Sequence, residues 1–88
     1  MEDMLQLKAK TVAGNIRKLR EFRNYTQDYL AAKLNISQNA YSKIELGYSR
    51  LTLERLFQIA HVLELDVAHI VSYDHDELIR MISKSKSA

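Results

Sequence analysis

The chain has 88 residues, of which 47% are apolar, and it contains no cysteine, no proline and only two glycines. This composition supplies one modest core, favours an all-α fold over one rich in β-turns, and excludes disulfides and thiolate metal sites. No apolar run approaches the roughly 20 residues of a membrane span, and residues 1–10 lack the apolar centre of a secretory signal. We therefore expect a single-domain cytoplasmic protein that does not bind membranes and has no room for a separate ligand-sensing domain.

The formal net charge of +2 hides an asymmetry along the chain. Residues 8–55 contain ten Lys and Arg side chains against four Asp and Glu, whereas residues 57–79 contain five acidic and no basic side chains. The simplest interpretation is a phosphate-binding face backed by an acidic one. Solvated helix surfaces are the alternative, and the charge pattern alone does not choose between them.

The first predicted helix runs from about Lys10 to Arg23. Gly14 weakens this helix by about 1 kcal/mol relative to alanine but does not break it. The apolar side chains that form its core stripe at helical spacing are Val12, Ile16, Leu19 and Phe22.

The stretch at residues 26–47, TQDYLAAKLNISQNAYSKIELG, predicts two short helices joined by a tight turn. Thr26 is the expected N-cap of the first, which ends at Leu34, and Ser37 is the expected N-cap of the second. Gly47 suits the left-handed position that closes the second helix. The core-facing positions of the pair are Leu30, Ala31, Leu34, Ala40, Tyr41 and Ile44.

The second helix of this pair is polar on its outward side, where Gln38, Asn39, Ser42 and Lys43 are left facing solvent. Two helices separated by a short turn, with amide, hydroxyl and cationic groups on the free face of the second, are what reading of the DNA major groove requires.

Three further helices are predicted after an extended loop at residues 48–51. Thr52 caps a helix through residue 63, Asp66 caps a short fifth helix, and Asp74 caps a final one with an apolar stripe. Residues 83–88, SKSKSA, are interpreted as a frayed basic tail.

From about residue 12 to residue 71 the chain resembles the Xre/Cro-repressor family, the lambda-repressor-like DNA-binding domains. The matching elements are Tyr25-Thr26-Gln27, Leu30-Ala31, Leu34, Ile36-Ser37-Gln38, Tyr41-Ser42-Lys43-Ile44-Glu45 and Gly47, continuing through Leu53, Leu56, Ile59-Ala60 and Leu63. The resemblance implies a compact five-helix DNA-binding domain, which we place at residues 1–73. Residues 74–88 would then form a short C-terminal helix and tail that can serve dimerisation.

The resemblance implies that four side chains contact base edges of double-stranded DNA: Gln38, Asn39, Ser42 and Lys43. Without it, solvated side chains would be the preferred interpretation of the two amides. Gln38 and Asn39 can each form paired hydrogen bonds with adenine. Lys43 can bind either guanine or a phosphate, and Ser42 can contact the backbone or a base edge.

Phosphate contacts are expected around the helix pair. Gln27 begins the first helix, where its amide, a main-chain N–H and the helix dipole can hold one phosphate. Arg50 is the strongest candidate in the loop that follows the second helix. The full expected set is Gln27, Ser37, Tyr48, Ser49 and Arg50.

Two further interpretations concern charged side chains. The family pattern pairs Glu45 with a basic residue on the first helix, and Arg20 matches that position, which implies a structural salt bridge. The histidines at 61, 69 and 75 are spaced by eight and six residues, so they do not stack on one helical face. We expect no metal, no cofactor and no enzymatic activity.

The function expected from these features is that of a sequence-specific transcriptional regulator, of the repressor type, which binds a (pseudo)palindromic operator as a homodimer. An antitoxin or anti-regulator that acts mainly through a protein partner is the alternative, and a nonspecific nucleoid binder is disfavoured by the small net charge. The expected dimer residues are Val71, Tyr73, Leu78, Ile79 and Ile82, unless the last helix folds back on its own domain.

Overall fold

The structure, a computed structural model, describes residues 4–72 together with 74, 77, 80 and 83, and five helices lie within residues 4–72. Within these residues there is no strand, so the predicted all-α class is confirmed. The helices are α1 (Met4–Phe22), α2 (Gln27–Leu34), α3 (Gln38–Glu45), α4 (Leu53–Leu63) and α5 (Val67–Ser72).

Three hydroxyl side chains begin the helices that the sequence assigned to them. The side-chain oxygens of Thr26, Ser37 and Thr52 each accept the backbone N–H three residues further on, at 3.0–3.1 Å. Each bond satisfies one of the N–H groups that a first helical turn leaves without an internal acceptor. Such a cap contributes about 1 kcal/mol.

A left-handed residue follows each of the helices α1 to α4. Gly47, with φ of +77°, follows α3 and allows the N–H of Tyr48 to reach the carbonyl of Lys43 at 2.9 Å, as predicted for this glycine. The non-glycine residues that take this conformation are Asn24, Asn35 and Glu64, after α1, α2 and α4 respectively.

The start of α1 differs from the prediction. The helix begins at Met4, six residues before the expected Lys10. The predicted start followed the part of the stripe that packs in the core, and residues 4–11 are all exposed, so no core residue marks the helix there. They nevertheless continue the helix because Leu, Gln, Lys and Ala all have high helix propensity.

The core lies where α1 crosses the other helices. α1 packs against α3, α4 and α5, and α2 packs against α3 and α4. Apolar side chains from all five helices are buried there: Ile16, Leu19, Leu30, Ala31, Leu34, Tyr41, Ile44, Leu56, Ile59, Ala60, Leu63 and Ile70.

One buried polar side chain joins the two ends of the domain. Asn15 has no solvent exposure, and its Nδ2 donates to the backbone carbonyl of Ile70 at 2.7 Å. This bond attaches α5 to α1 across 55 residues of sequence. The sequence pattern assigned no role to Asn15.

Beyond α5, the carboxylate Oδ1 of Asp74 accepts the backbone N–H of Glu77 at 2.9 Å, which is the hydrogen bond expected of the predicted cap. Four of the residues predicted for the dimer, Tyr73, Leu78, Ile79 and Ile82, lie outside the described residues. Val71 is described and is 47% exposed.

Candidate nucleic-acid interface

A three-residue turn sets the angle between α2 and α3. Asn35 leaves α2 with φ of +59°, and the N–H of Ile36 donates back to the carbonyl of Ala31 at 3.0 Å. Ser37 then caps α3. The turn is therefore held by local hydrogen bonds at both of its ends, and this fixes the direction in which α3 leaves.

The inward side of α3 is buried. Tyr41 has no solvent exposure, while Ile44 and Glu45 are 7% and 6% exposed. Tyr41 and Ile44 belong to the hydrophobic core. Core packing thus holds one side of α3 against the domain.

A bidentate ion pair adds a second constraint on α3. Arg20 Nε donates to Glu45 Oε2 at 2.6 Å, and Arg20 Nη2 donates to Glu45 Oε1 at 3.2 Å. The side chains are only 12% and 2% exposed, so the salt bridge expected between Arg20 and Glu45 is present and largely buried. Arg20 Nη1 also donates to the carbonyl of Tyr25 at 2.8 Å, which ties the pair to the link between α1 and α2.

The pair shifts the acid–base behaviour of the groups around it. Burial acts to raise the pKa of Glu45, but the hydrogen bonds and charge of Arg20, together with Gln27, outweigh burial and leave this pKa below its ordinary value. The hydrogen bond with Glu45 raises the pKa of Arg20. Burial, and secondarily Glu45, raises the pKa of Tyr41. Glu45 is therefore charged and Tyr41 neutral in the folded protein near neutral pH.

Gln27 takes part in the same network. Its Nε2 donates to Glu45 Oε1 at 3.0 Å, so the side chain links the first turn of α2 to the last turn of α3. The sequence predicted that the side-chain amide of Gln27 binds a DNA phosphate. In the structure one of its N–H groups is directed at Glu45, and this leaves the second N–H and the main-chain N–H for such a contact.

The outward side of α3 carries the side chains predicted to meet bases. Gln38, Asn39 and Lys43 are exposed and Ser42 is half-buried. At 100° per residue, these four positions fall within an arc of about 140° that excludes the three buried positions. The structure therefore brings all four together on one side of α3.

The comparisons with known proteins agree with this geometry. A family model described as helix-turn-helix matches residues 16–70, well over half of the chain. The chain belongs to the Xre-type helix-turn-helix family of DNA-binding transcription regulators.

A solved structure is also similar to this helix-turn-helix protein. It is the crystal structure of the clp gene regulator ClgR from C. glutamicum, with a TM-score of 0.69 and 25% identity. The similarity covers 78% of this chain and 86% of that chain. No curated protein matches the chain in sequence.

The predicted phosphate contacts of the helix-turn-helix protein lie around α3. Tyr48 is 78% exposed, Arg50 is exposed and Ser49 is half-buried, all in the loop after α3. Ser37 is exposed at the start of α3, where its hydroxyl oxygen accepts from Ala40 and its O–H remains able to donate. The predicted phosphate contacts therefore lie at both ends of the outward side of α3: Ser37 at its start, and the loop with Tyr48, Ser49 and Arg50 at its end.

Several of the basic side chains in residues 8–55 serve the fold itself. Arg23 Nε donates to the carbonyl of Leu63 at 3.0 Å, and Arg55 Nη1 donates to the carbonyl of Leu34 at 3.3 Å. These bonds satisfy carbonyls at the ends of α4 and α2. With Arg20 paired to Glu45 as expected, part of the positive charge is used inside the domain, and the sequence pattern gave no sign of the contacts of Arg23 and Arg55.

Two other site types find no support in the described part of the helix-turn-helix protein. No cluster of three or more His, Asp or Glu side chains there could hold a metal ion. None of the described helices is both long enough and apolar enough to cross a membrane.

Proposed function

We propose that this helix-turn-helix protein is a sequence-specific repressor that binds a (pseudo)palindromic DNA operator as a homodimer. The observation that carries the proposal is the division of α3 into two sides. One side is held by the core and by the buried Arg20–Glu45 pair, while the other presents Gln38, Asn39 and Lys43 to solvent. Polar side chains on a rigidly held helix are suited to reading base edges, because the backbone that carries them is in place before DNA arrives.

Base reading would begin at the N-terminal end of α3, the end of a recognition helix that approaches the bases in helix-turn-helix complexes. Gln38 and Asn39 lie at this end, and each amide can both donate to and accept from adenine. Lys43 lies one turn further on, where it can reach a guanine or a phosphate. Ser42 has only a short side chain and is half-buried, so it can contact only atoms close to the helix.

Phosphate binding would orient the domain on the duplex. Arg50, Tyr48 and Ser49 would contact the backbone beyond the C-terminal end of α3, and Ser37 would contact it near the N-terminal end. The main-chain N–H of Gln27, at the positive end of the α2 dipole, would hold a further phosphate. These contacts carry little sequence information, but they fix the register in which the amides meet the bases.

Dimerisation would supply the second half of the site. One recognition helix reads a single half-site, so helix-turn-helix proteins place two copies on half-sites about 34–36 Å apart. Val71 begins the apolar series expected to form the dimer, and its exposure of 47% supports a role in a contact. A dimer bound over a promoter would repress by blocking polymerase, and the similarity to a protein described as a gene regulator supports a role in transcription.

The test is selection of bound sequences from a random pool of double-stranded DNA. We expect an inverted repeat with half-site centres about 10 base pairs apart. The Gln38→Ala variant should select the same spacing with a relaxed preference at particular base pairs. A pool without any consensus would contradict sequence-specific binding and would favour the alternative function through a protein partner. A consensus made of one half-site would contradict the homodimer.

A further inference from the structure

The first two turns of α1 continue an apolar stripe beyond the core. Leu5 and Val12 are seven residues apart, so they lie within about 20° of one line along the helix. Val12 packs against the hydrophobic core, and Ile16 and Leu19 carry the same stripe into it. Leu5 is 76% exposed, so here the stripe is not covered by any of the described residues.

Two grooves run beside this stripe and share residues. A groove of about 400 Å³ is lined by Lys8, Val12, Val71 and Asp74, among others. A second groove of about 660 Å³ is also lined by Val12 and Val71, and it extends to the loop at residues 48–51. Val12 and Val71 line both grooves and therefore connect the stripe of α1 to the end of α5 in one continuous surface, which reaches the loop beside α3.

We propose that this surface, the α1 face formed by Leu5, Ala9, Val12 and Val71, packs against the α1 face of a second copy of the chain. The inference rests on the proposed homodimer and assigns α1 a part in its interface. The sequence placed that interface only in the C-terminal segment. Since the α1 face includes Val71, it is continuous with the segment that was expected to pair.

Charge favours a second copy as the occupant. Lys8 and Asp74 border the same groove, so the α1 face is flanked by a basic and an acidic group. A twofold contact sets each patch against itself, with residue i of one copy meeting residue j of the other and the reverse. Lys8 of one copy can then meet Asp74 of the other twice, once on each side of the axis.

Position and area define how a second copy would use the α1 face. The α1 face adjoins the loop after α3, so a second copy packed on this face would lie beside the loop that carries Arg50. A stable interface buries about 800 Å² on each partner, more than two helical turns provide. The α1 face would therefore act together with the C-terminal segment that begins beside it at Asp74.

The experiment compares Leu5→Glu with Leu7→Glu in the full chain by sedimentation equilibrium. Leu7 is a matched control because it lies on the same helix, is 54% exposed and points about 160° away from Leu5. Both side chains are exposed, so neither variant should lower the thermal midpoint. We expect Leu5→Glu to weaken dimerisation at least about tenfold, because a carboxylate would have to be buried, and Leu7→Glu to leave it unchanged.

Dimerisation of Leu5→Glu as tight as that of the original chain would overturn the α1 face as an interface, and so would equal weakening by both variants. Binding to one half-site and to two half-sites separates this inference from the proposed function. Leu5→Glu should lose the cooperative gain from the second half-site and keep its affinity for a single one. Loss of single-site affinity in Leu5→Glu would instead mean that this end of α1 contacts DNA, which would overturn the inference while leaving the DNA-binding function in place.

Discussion

The two sides of α3 show how one eight-residue helix is divided between stability and recognition. On the inward side, Tyr41, Ile44 and Glu45 are each at most 7% exposed and are held by the core and by Arg20. On the outward side, Gln38 and Asn39 are exposed. Their side chains make no hydrogen bond with any of the described residues. The same helix thus carries some side chains that stabilise the fold and others whose polar groups can form hydrogen bonds with a ligand.

The difference between the two sides predicts whether a substitution changes the stability of the fold or the affinity for DNA. A buried charge that loses its partner must remain desolvated, so inward changes should appear in the free energy of unfolding. An exposed amide exchanges its hydrogen bonds with water at little cost, so outward changes should appear only when DNA binds.

Glu45→Gln should lower the free energy of unfolding by about 3–5 kcal/mol, because it leaves the guanidinium of Arg20 buried without its counter-charge. Urea unfolding measures this value. Glu21→Gln is the matched control, since Glu21 pairs with Arg17 at 3.4 Å on the surface of α1, with side chains 44% and 58% exposed. The control should cost no more than about 0.5 kcal/mol. Equal losses in the two variants would contradict the separation of the sides.

The contribution of Glu45 should also depend on pH. Its pKa in the folded protein is lowered, so it stabilises the fold fully above the ordinary glutamate pKa of about 4.3, and this stability is lost as the pH falls through the lower folded value. The difference in unfolding free energy between the original chain and Glu45→Gln should be constant from about pH 5 to 7 and shrink in more acidic buffer. A difference that stays the same down to the acid limit of folding would show that the carboxylate charge contributes nothing.

Gln38→Ala and Asn39→Ala should each cost about 1–3 kcal/mol in binding to the preferred operator, because bidentate base contacts have this value. Nonspecific binding and the unfolding free energy should hardly change. Titration with operator and with unrelated DNA, beside a urea unfolding curve, measures all three quantities. If both variants discriminate between the sequences as well as the original chain does, the base-reading side of α3 has been assigned wrongly.

Arg50→Ala should weaken binding to operator and to unrelated DNA by the same factor, since a phosphate contact does not distinguish sequences. The slope of log K against log salt concentration should become less negative by about one unit, which corresponds to one counterion no longer released. Affinities at four salt concentrations give the slope. Loss of operator affinity alone would move Arg50 from the phosphate set to the base-reading set.

The sequence alone determined the features that depend on neighbours only a few residues away. The caps at Thr26, Ser37 and Thr52 act over three residues, and the left-handed turn at Gly47 closes within one helical turn. Hydrophobic spacing of 3.6 residues placed the core stripe in the same way. Because this information is local, the order of the helices and the outward side of α3 followed from the pattern.

The start of α1 does not follow from the hydrophobic spacing, and its prediction at Lys10 was wrong. A core stripe marks only the part of a helix that packs, and the residues before Ala13 on α1 are at most partly buried. Helix propensity continues the helix to Met4 without such packing, so the boundary was placed six residues too late. Leu5 lies in this additional part of the helix, where it continues the stripe as an exposed side chain.

The tertiary structure alone decided the contacts between residues far apart in sequence. Arg20 and Glu45 are 25 residues apart and were paired only by the family resemblance, while the bond from Asn15 to Ile70 and that from Arg23 to Leu63 had no signal in the pattern. The turn of Gln27 towards Glu45 likewise depends on how α2 and α3 pack. Sequence spacing specifies which side of a helix a residue occupies, but the partner on that side is set by the packing of whole helices, which depends on the entire core at once.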